Sequence, residues 1–209
     1  MSQTHLPYKL WHGLALLLLV PAMSQAIEEP AYEVVQKLGE SVEIRRYAAF
    51  VVAEVLIAGP ADEAGNQAFP ILAGYIFGKN KGERKFAMTA PVTQTSAPAK
   101  FAMAAPVTQS AAEGGTLVSF VLPKDVTLTT APEPIDDRVK LREVAGHTLA
   151  AIRYSGFWSH ANDAEHLGQL TAALRTAKLS WAGEPVVARY NGPWTPWFLR
   201  RNELWLQLP

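Results

Sequence analysis

Apolar and polar residues along the chain follow two different periods, and each period predicts its own kind of element. Residues 41–59 alternate and are rich in β-branched side chains, which predicts a strand pair or one long bent strand. Residues 62–78 carry an apolar stripe at helical spacing and end in Gly78, which predicts a helix. Pro70 fits this helix if it begins near Asn66, because first-turn N–H groups have no partner within a helix.

The second half of the chain repeats this order of elements. A shift of 97 residues places the apolar and glycine positions of residues 41–59 on those of residues 138–156. A second helix is predicted over residues 162–178, where Asn162 and Glu165 resemble a capping box. Two further β-like runs follow each helix, so each half reads β-β-α-β-β. The pattern predicts an α+β fold, a distorted β-barrel or curved antiparallel sheet with pseudo-two-fold symmetry and two flanking helices.

Residues 27–209 are predicted to form a single domain, with halves at about residues 27–123 and 138–209 joined by an exposed crossover loop. Residues 1–26 differ in composition from the rest of the chain, because a single basic residue, an apolar run and the small-x-small sequence Ser-Gln-Ala follow one another. This order predicts a signal peptide cleaved after Ala26 and an exported protein, periplasmic or secreted, with no stable membrane anchor after cleavage. The alternative is an N-terminal membrane anchor, for which the apolar run is short.

A phrase of fifteen residues occurs twice between residues 85 and 114, with ten identical positions. The β-β-α-β-β plan needs one strand here, and we expect residues 101–109 to form it as a hairpin with the next strand. The first copy, residues 86–94, is then an added edge strand or a structured excursion. Met88 and Met103 occupy equivalent places. They are either a thioether pair for copper or haem iron or, as we favour, core fillers that do not converge.

The composition is that of a globular domain and excludes several kinds of chemistry. Lys plus Arg and Asp plus Glu both number 19, so the net charge gives no indication of nucleic-acid binding. The chain has no cysteine, which excludes disulfides, thiolate nucleophiles and cysteine-ligated metals. It has no phosphate-binding glycine loop and no common hydrolase or metalloprotease motif. A binding protein is therefore favoured over an enzyme.

Two phrases are distinctive, KFAMTAPVTQ and YNGPWTPWFLRRNELW, and they follow EVVQKLGESVEIRRY and DEAGNQAFPILAGYIFG in a characteristic order. Together they resemble the SOUL family of haem-binding proteins, over nearly all of residues 27–209. The resemblance implies a distorted β-barrel of two repeats with two helices. It also implies non-covalent binding of haem or a related tetrapyrrole, here by an exported carrier or scavenger.

The haem surface that the resemblance implies lies along the first helix. Neither a basic residue nor a methionine occurs at the matching positions, which are Asn66, Phe69, Ala73 and Gly74. Phe77 is a further pocket candidate on this helix.

Haem also calls for an axial donor and for cations near its propionates. His147, His160 and His166 are weak axial candidates, since a lone histidine is more often a surface or capping residue. Arg200 and Arg201 are candidates for contacting propionates, or they form an ion pair and turn that fix the last strand.

Two functions of other classes remain open from the residues alone. One is a small-molecule-processing enzyme, and the other is a binding module for another apolar ligand; each would use a cleft between the two halves. The enzyme hypothesis predicts a buried carboxylate with a raised pKa in that cleft. Tryptophan is abundant after the first half and fits either ring stacking or packing of the barrel ends, at positions 158, 181, 194, 197 and 205.

Overall fold

The computed structural model describes residues 27–59, 61–96 and 115–209. The predicted signal peptide, residues 1–26, and the whole second copy of the duplicated phrase, residues 100–114, lie outside the described residues. The elements in chain order are β1 (Tyr32–Leu38), β2 (Val42–Tyr47), β3 (Phe50–Ala58), α1 (Ala61–Ile76), β4 (Val92–Ser96), β5 (Gly115–Val121), β6 (Lys140–Val144), β7 (His147–Tyr154), α2 (His160–Thr176), β8 (Ala182–Arg189), a 3-10 turn (Trp197–Leu199) and β9 (Asn202–Gln207).

The nine strands of the described chain form one curled antiparallel sheet in the order β1-β2-β7-β9-β8-β4-β5-β3-β6. The elements β2-β3-α1-β4-β5 correspond to β6-β7-α2-β8-β9, and exchanging the two sets reverses the strand order from β2 to β6. The pseudo-two-fold axis therefore passes between β4 and β8. The predicted fold class is confirmed, with β1 as an edge strand additional to the repeat.

Both helices pack on the same face of the sheet, one over each half. Helix α1 covers β3 and β5, where Val55 and Val118 are fully buried. Helix α2 buries Leu170 against β7 and β9, where it meets Ile152 and Leu204. Each such side chain contributes roughly 1.5–3 kcal/mol by leaving water. The residues that alternate with this core lie on the opposite face of the sheet, where Tyr47, Leu149 and Trp205 belong to a smaller buried apolar cluster.

The strand that follows α1 comes from the first copy of the duplicated phrase. Val92 of β4 pairs with Phe120 of β5 and Arg189 of β8, so this strand is central. The prediction that residues 101–109 supply it is wrong. The reason lies upstream, because Phe86 is buried and its N–H donates to the carbonyl of Ile76 at 2.9 Å, which ties the first copy to the end of α1.

The methionines of the duplicated phrase are described only in part. Met88 packs against the core under α1, as a gap-filling side chain does. Met103 lies outside the described residues, so the expectation that the two sulfurs do not converge stays a prediction.

Helix α1 begins at Ala61 rather than near Asn66, so Pro70 lies inside it and that prediction is wrong. Proline lacks an N–H, so the carbonyl of Asn66 has no donor four residues on. Both residues lie on the exposed side of α1, where water can satisfy the carbonyl. An interior proline is therefore tolerated on this side of the helix.

Helix α2 begins at His160, two residues earlier than predicted. Its N-cap is Ser159, whose side-chain oxygen accepts the N–H of Asn162 at 3.3 Å. The predicted capping by Asn162 is wrong, because its side-chain amide donates instead to the carbonyls of Ser155 and Phe157. Within the described ranges, no helix is long and apolar enough to cross a membrane.

Candidate functional site

The exposed side of α1 presents an apolar strip. Phe69 and Phe77 are 42% and 55% exposed, although the ring of Phe69 also meets the edge of Phe120 at 5.6 Å. The two phenylalanines are eight residues apart, about 12 Å along the helix. Asn66 lies on the same exposed side, whereas Ala73 is buried in the core. Of the predicted pocket residues on α1, Asn66, Phe69 and Phe77 therefore lie on the exposed side, whereas Ala73 does not.

A lysine from beyond the helix end crosses this strip. Gly78 has a φ of +110°, which favours glycine and turns the chain back on itself. The N–H of Lys79 then donates to the carbonyl of Gly74 at 2.8 Å. A Cβ added to Gly74 would lie 3.1 Å from Cδ of Lys79, so the lysine chain passes over Gly74. No carboxylate within the described ranges forms a salt bridge with Lys79, although its charge helps to lower the pKa of Asp136 in the same groove.

A groove of about 220 Å³ runs beside the strip. It is lined by Pro70, Ile71, Tyr75, Lys79, Asp136 and Arg138. The guanidinium of Arg138 binds the carboxylate of Asp136 at 2.6 Å, and its hydrogen bonds lower the pKa of that carboxyl to about 2. Ligand cavities usually hold about 300–1,000 Å³. A large flat ligand would therefore lie across this groove rather than inside it.

The groove offers no good donor to a metal ion. The hydroxyl of Tyr75 donates to the carbonyl of Pro132 at 2.9 Å, and burial raises the pKa of Tyr75 to about 12. A neutral, hydrogen-bonded phenol is a poor ligand. No histidine lines this groove.

The three histidines of the domain lie apart. His147 stacks on Tyr47 with ring centroids 5.6 Å apart, and His166 stacks on Tyr154 at 4.2 Å. His160 is exposed at the start of α2. Across the described chain no group of three or more His, Cys, Asp or Glu side chains could hold a metal ion. Each histidine would have to act alone as an axial ligand.

A buried charge cluster occupies the face of the sheet that the helices leave free. The carboxylate of Glu203 is fully buried and accepts from Arg45 at 2.7 Å and from Arg201 at 3.0 Å. Tyr190 and Trp205 donate to it at 3.0 and 2.8 Å. Burial alone would raise the pKa of Glu203, but Arg45 and Arg201 hold it below its ordinary value. The enzyme hypothesis predicts the opposite for a buried carboxylate in the cleft.

The remaining predicted arginines are engaged away from α1. Arg201 also pairs with Glu29 at 2.8 Å. Arg200 donates to the carbonyls of Thr195 and Pro193 and lies 4.6 Å from the centre of the Trp158 ring. Neither arginine lines the α1 groove, whose basic residues are Lys79 and Arg138.

A second groove, of about 230 Å³, lies at the rim of the sheet beside residues 28–31 and 48–51. Its carboxylates come from Glu28, Glu29 and Glu143, and Glu28 accepts the N–H of Lys124 at 2.7 Å. An acidic lining disfavours an anionic ligand, so the α1 surface, with its free lysine, is the better place for one.

Sequence reasoning missed Lys79 and Arg138 as members of the α1 surface. A helical pattern locates only residues within the helix, and these two lie in the turn after α1 and in the crossover loop. The available signal was Gly78, since a glycine at a helix end commonly reverses the chain and brings the next residue over the last turn.

The fold defines a class of protein: a half-barrel of two β-β-α-β-β repeats with a helix packed on each half. A family model described as SOUL heme-binding protein matches residues 27–207, and the chain belongs to this family. Human heme-binding protein 2 is 30% identical over 190 residues, 88% of each chain. Mouse heme-binding protein 1 is 30% identical over 153 residues, 70% of this chain and 73% of the relative.

Solved structures share the fold at low sequence identity. An uncharacterized conserved protein from Listeria innocua superposes with a TM-score of 0.60 at 14% identity, covering 81% of this chain and 92% of that one. The C-terminal domain of EcmrR superposes with a TM-score of 0.57 at 10% identity, covering 85% and 98%. At these identities the likeness shows the fold alone.

Proposed function

We propose that this protein binds haem or a related tetrapyrrole non-covalently on the outer surface of α1, and that it acts as an exported carrier or scavenger. Membership of the SOUL family and the names of the human and mouse relatives support a tetrapyrrole as ligand.

The observation that carries the proposal is the presence of exposed aromatic rings and a lysine without a salt bridge on one helix surface. Phe69 and Phe77 offer apolar faces to a flat macrocycle, and the Lys79 side chain, which passes over Gly74 of the same helix, supplies a cation for a propionate. Arg138 is already bound to Asp136, so Lys79 is the stronger candidate of the two cations.

The residues present fit the ring and the propionates of haem, but the groove supplies no axial donor. Haem brings a redox-active iron, and the groove offers this iron neither histidine nor an ionised tyrosine. Recognition would therefore rest on the macrocycle and its carboxylates. This reasoning predicts that iron-free protoporphyrin IX binds about as tightly as haemin.

A titration of the purified protein with haemin and with protoporphyrin IX tests this proposal. We expect saturable absorbance changes for both ligands, with dissociation constants within about threefold of each other. Haemin that binds more than about tenfold tighter would mean that a protein side chain ligates the iron, since tenfold is about 1.4 kcal/mol. Absence of saturable binding for both would refute the proposal and favour a different apolar ligand.

Matched variants locate the site. Phe77→Ser should weaken binding about tenfold, because one apolar face of the ligand returns to water. Lys79→Glu should weaken it several-fold, less at high salt, as for an exposed charge pair. Phe198→Ser is the control, because Phe198 is similarly exposed but lies in the 3-10 turn before β9 rather than on α1. Equal losses in Phe77→Ser and Phe198→Ser would place the ligand elsewhere.

The three histidines are tested by single replacement. His147→Ala, His160→Ala and His166→Ala should leave the Soret maximum of the haemin complex unchanged, since none of the three lines the α1 groove. A displaced Soret maximum in one variant would identify an axial ligand and move the site to that histidine.

Export is the second part of the proposal. Its support is the order of basic residue, apolar run and small-x-small sequence within residues 1–26. Expression of the whole chain in a bacterial host, followed by fractionation and intact mass measurement, should recover a species that begins at Ile27 outside the cytoplasm. An intact chain retained in the membrane would mean that this segment is an anchor.

A further inference from the structure

Five large apolar side chains project together from one end of the molecule. They are Phe157, Trp194, Trp197, Phe198 and Leu199, here called the aromatic ridge, and each is 48–82% exposed. The ridge belongs to two loops that are fixed to each other. The N–H of Gly156 donates to the carbonyl of Trp197 at 3.0 Å, and the rings of Phe157 and Trp197 stack at 5.3 Å. Clustered exposure of this kind marks an interaction surface more often than single exposed side chains do.

The two loops that carry the ridge contain basic residues and no acidic ones. Neither loop, residues 155–160 or 191–201, contains an aspartate or a glutamate. Arg200 lies at the base of the ridge, where it donates to two loop carbonyls and covers Trp158. In the portion of the chain that the structure describes, Arg200 forms no salt bridge with a carboxylate. The ridge therefore combines apolar tips with an uncompensated cation, which is complementary to anionic headgroups.

The N-terminal segment reaches the domain at the same end. Glu29 binds Arg201 at 2.8 Å, and Arg201 is two residues beyond Leu199. The described chain therefore begins two residues before this contact, at Ile27. Residues 1–26, which the sequence predicts to engage a membrane either as a leader or as an anchor, directly precede this end of the domain in the chain.

The shape of the ridge favours a bilayer over a protein as its binding partner. Side chains that project from loops need a matching concavity on a protein partner, whereas a bilayer interface accepts a projection of any outline. Tryptophan favours the headgroup level, and phenylalanine and leucine favour the acyl boundary beneath it. The ridge contains both kinds of side chain on adjacent positions of one loop.

We propose that the aromatic ridge is a reversible docking surface for a phospholipid bilayer with anionic headgroups. Phe198 and Leu199 enter the acyl boundary, Trp194 and Trp197 lie at headgroup level, and Arg200 faces the phosphates. The proposal does not rest on tetrapyrrole binding, since the ridge residues do not line the α1 groove.

Quenching by brominated acyl chains tests insertion directly. The full chain, with Trp11→Phe in every protein so that residues 1–26 contribute no tryptophan emission, is mixed with vesicles of phosphatidylcholine and phosphatidylglycerol that carry brominated lipids, and tryptophan emission is recorded. We expect quenching that is largely lost in the double variant Trp194→Phe, Trp197→Phe and kept in Trp181→Phe, because Trp181 packs against the core under α2. Equal quenching in both variants would overturn the proposal, because the ridge tryptophans would then not be at the bilayer.

Vesicle partitioning provides a second measurement. The double variant Phe198→Ser, Leu199→Ser should partition about tenfold or more weakly, since two apolar side chains lose their burial. The control is Leu128→Ser, Ile135→Ser, which removes two exposed apolar side chains of the crossover loop. All proteins carry residues 1–26, so any contribution from that segment is common to them.

Three results would overturn the proposal. The first is equal partitioning of the two double variants. The second is partitioning that is no stronger onto anionic vesicles than onto phosphatidylcholine alone. The third is a wild-type dimer, seen by light scattering after size exclusion, that the ridge variant abolishes while quenching is absent; the ridge would then be an interface between copies of this chain.

Discussion

Replacing Arg45 should lower the free energy of unfolding strongly, because Arg45 pairs with the buried carboxylate of Glu203. Arg45 donates to Glu203 at 2.7 and 3.3 Å, and the arginine side chain is 4% exposed. Arg45→Met keeps the aliphatic chain but leaves a buried anion with one fewer cation. Breaking a buried pair from one side costs about 3–5 kcal/mol. For a domain of this size the melting temperature should fall by roughly 6–20 °C.

The neighbouring residue provides a matched control. Arg46 lies on the other face of β2 and pairs with Glu33 at 3.3 Å, and both side chains are mostly exposed. Arg46→Met should therefore cost less than about 1 kcal/mol. Urea unfolding of both variants at neutral pH, followed by circular dichroism, measures the two free energies of unfolding.

The double variant Arg45→Met, Glu203→Leu completes the test. It removes both charges, so it should be more stable than Arg45→Met alone, because no unpaired anion remains. It should not regain the full wild-type stability, since Tyr190 and Trp205 then lose the acceptor that they share. A cost of Arg45→Met no greater than that of Arg46→Met would refute the account of a buried, mutually dependent charge cluster.

Two further predictions follow from the same contacts and from the duplicated phrase. The pKa of Glu203 is lower in the folded protein than in the unfolded chain, so its stabilising effect is complete above about pH 4.3 and fades as the pH falls further; the urea midpoint of the wild type should drop more between about pH 5 and pH 3 than that of Glu203→Gln. Deletion of residues 100–114 removes the second copy and leaves β4 intact, so the melting temperature should change by only a few degrees, because loop-closure entropy depends weakly on loop length. A deletion variant that fails to fold would show that the second copy has a structural role.

The repeat was predictable because the same pattern of apolar and polar residues occurs in both halves of the chain. A shift of 97 residues aligned β2 with β6 and β3 with β7, and the strand order reflects the same exchange. The choice between the two copies of the duplicated phrase was not predictable in this way. Residues 92–94 and 107–109 are identical, so these residues alone do not show which copy forms β4. The first copy forms it because Phe86 contacts the end of α1, and such a tertiary contact is not visible in the sequence.

Strand β1 was missed for a related reason. Its burial is nearly uniform and low, because it pairs with β2 on one side and forms the edge of the sheet on the other. A strand without a buried face has little period-2 signal. Its partner β2, whose side chains are mostly buried, was read correctly from the alternation.

The charge cluster around Glu203 could not be predicted from the sequence. Its members come from β2 and from residues 190–205, and Arg45 reaches β9 across the intervening strand β7. The matching Arg142 of the other half instead binds Glu54 on the adjacent strand β3 at 2.8 Å. The two arginines occupy matching positions of the repeat, but the position of the carboxylate decides which strand each arginine binds.

The proposed tetrapyrrole surface of α1 includes a residue that the family resemblance did not supply. Matching positions along the helix offered no cation, and within the helix none is present on this side. The cation comes from the turn after the helix, because the positive φ of Gly78 reverses the chain and places Lys79 across Gly74. A side chain larger than hydrogen at position 74 would press on the lysine chain, so Gly74 and Lys79 act as a pair. Gly74→Leu should therefore weaken tetrapyrrole binding as Lys79→Glu does, while leaving Phe69 and Phe77 in place.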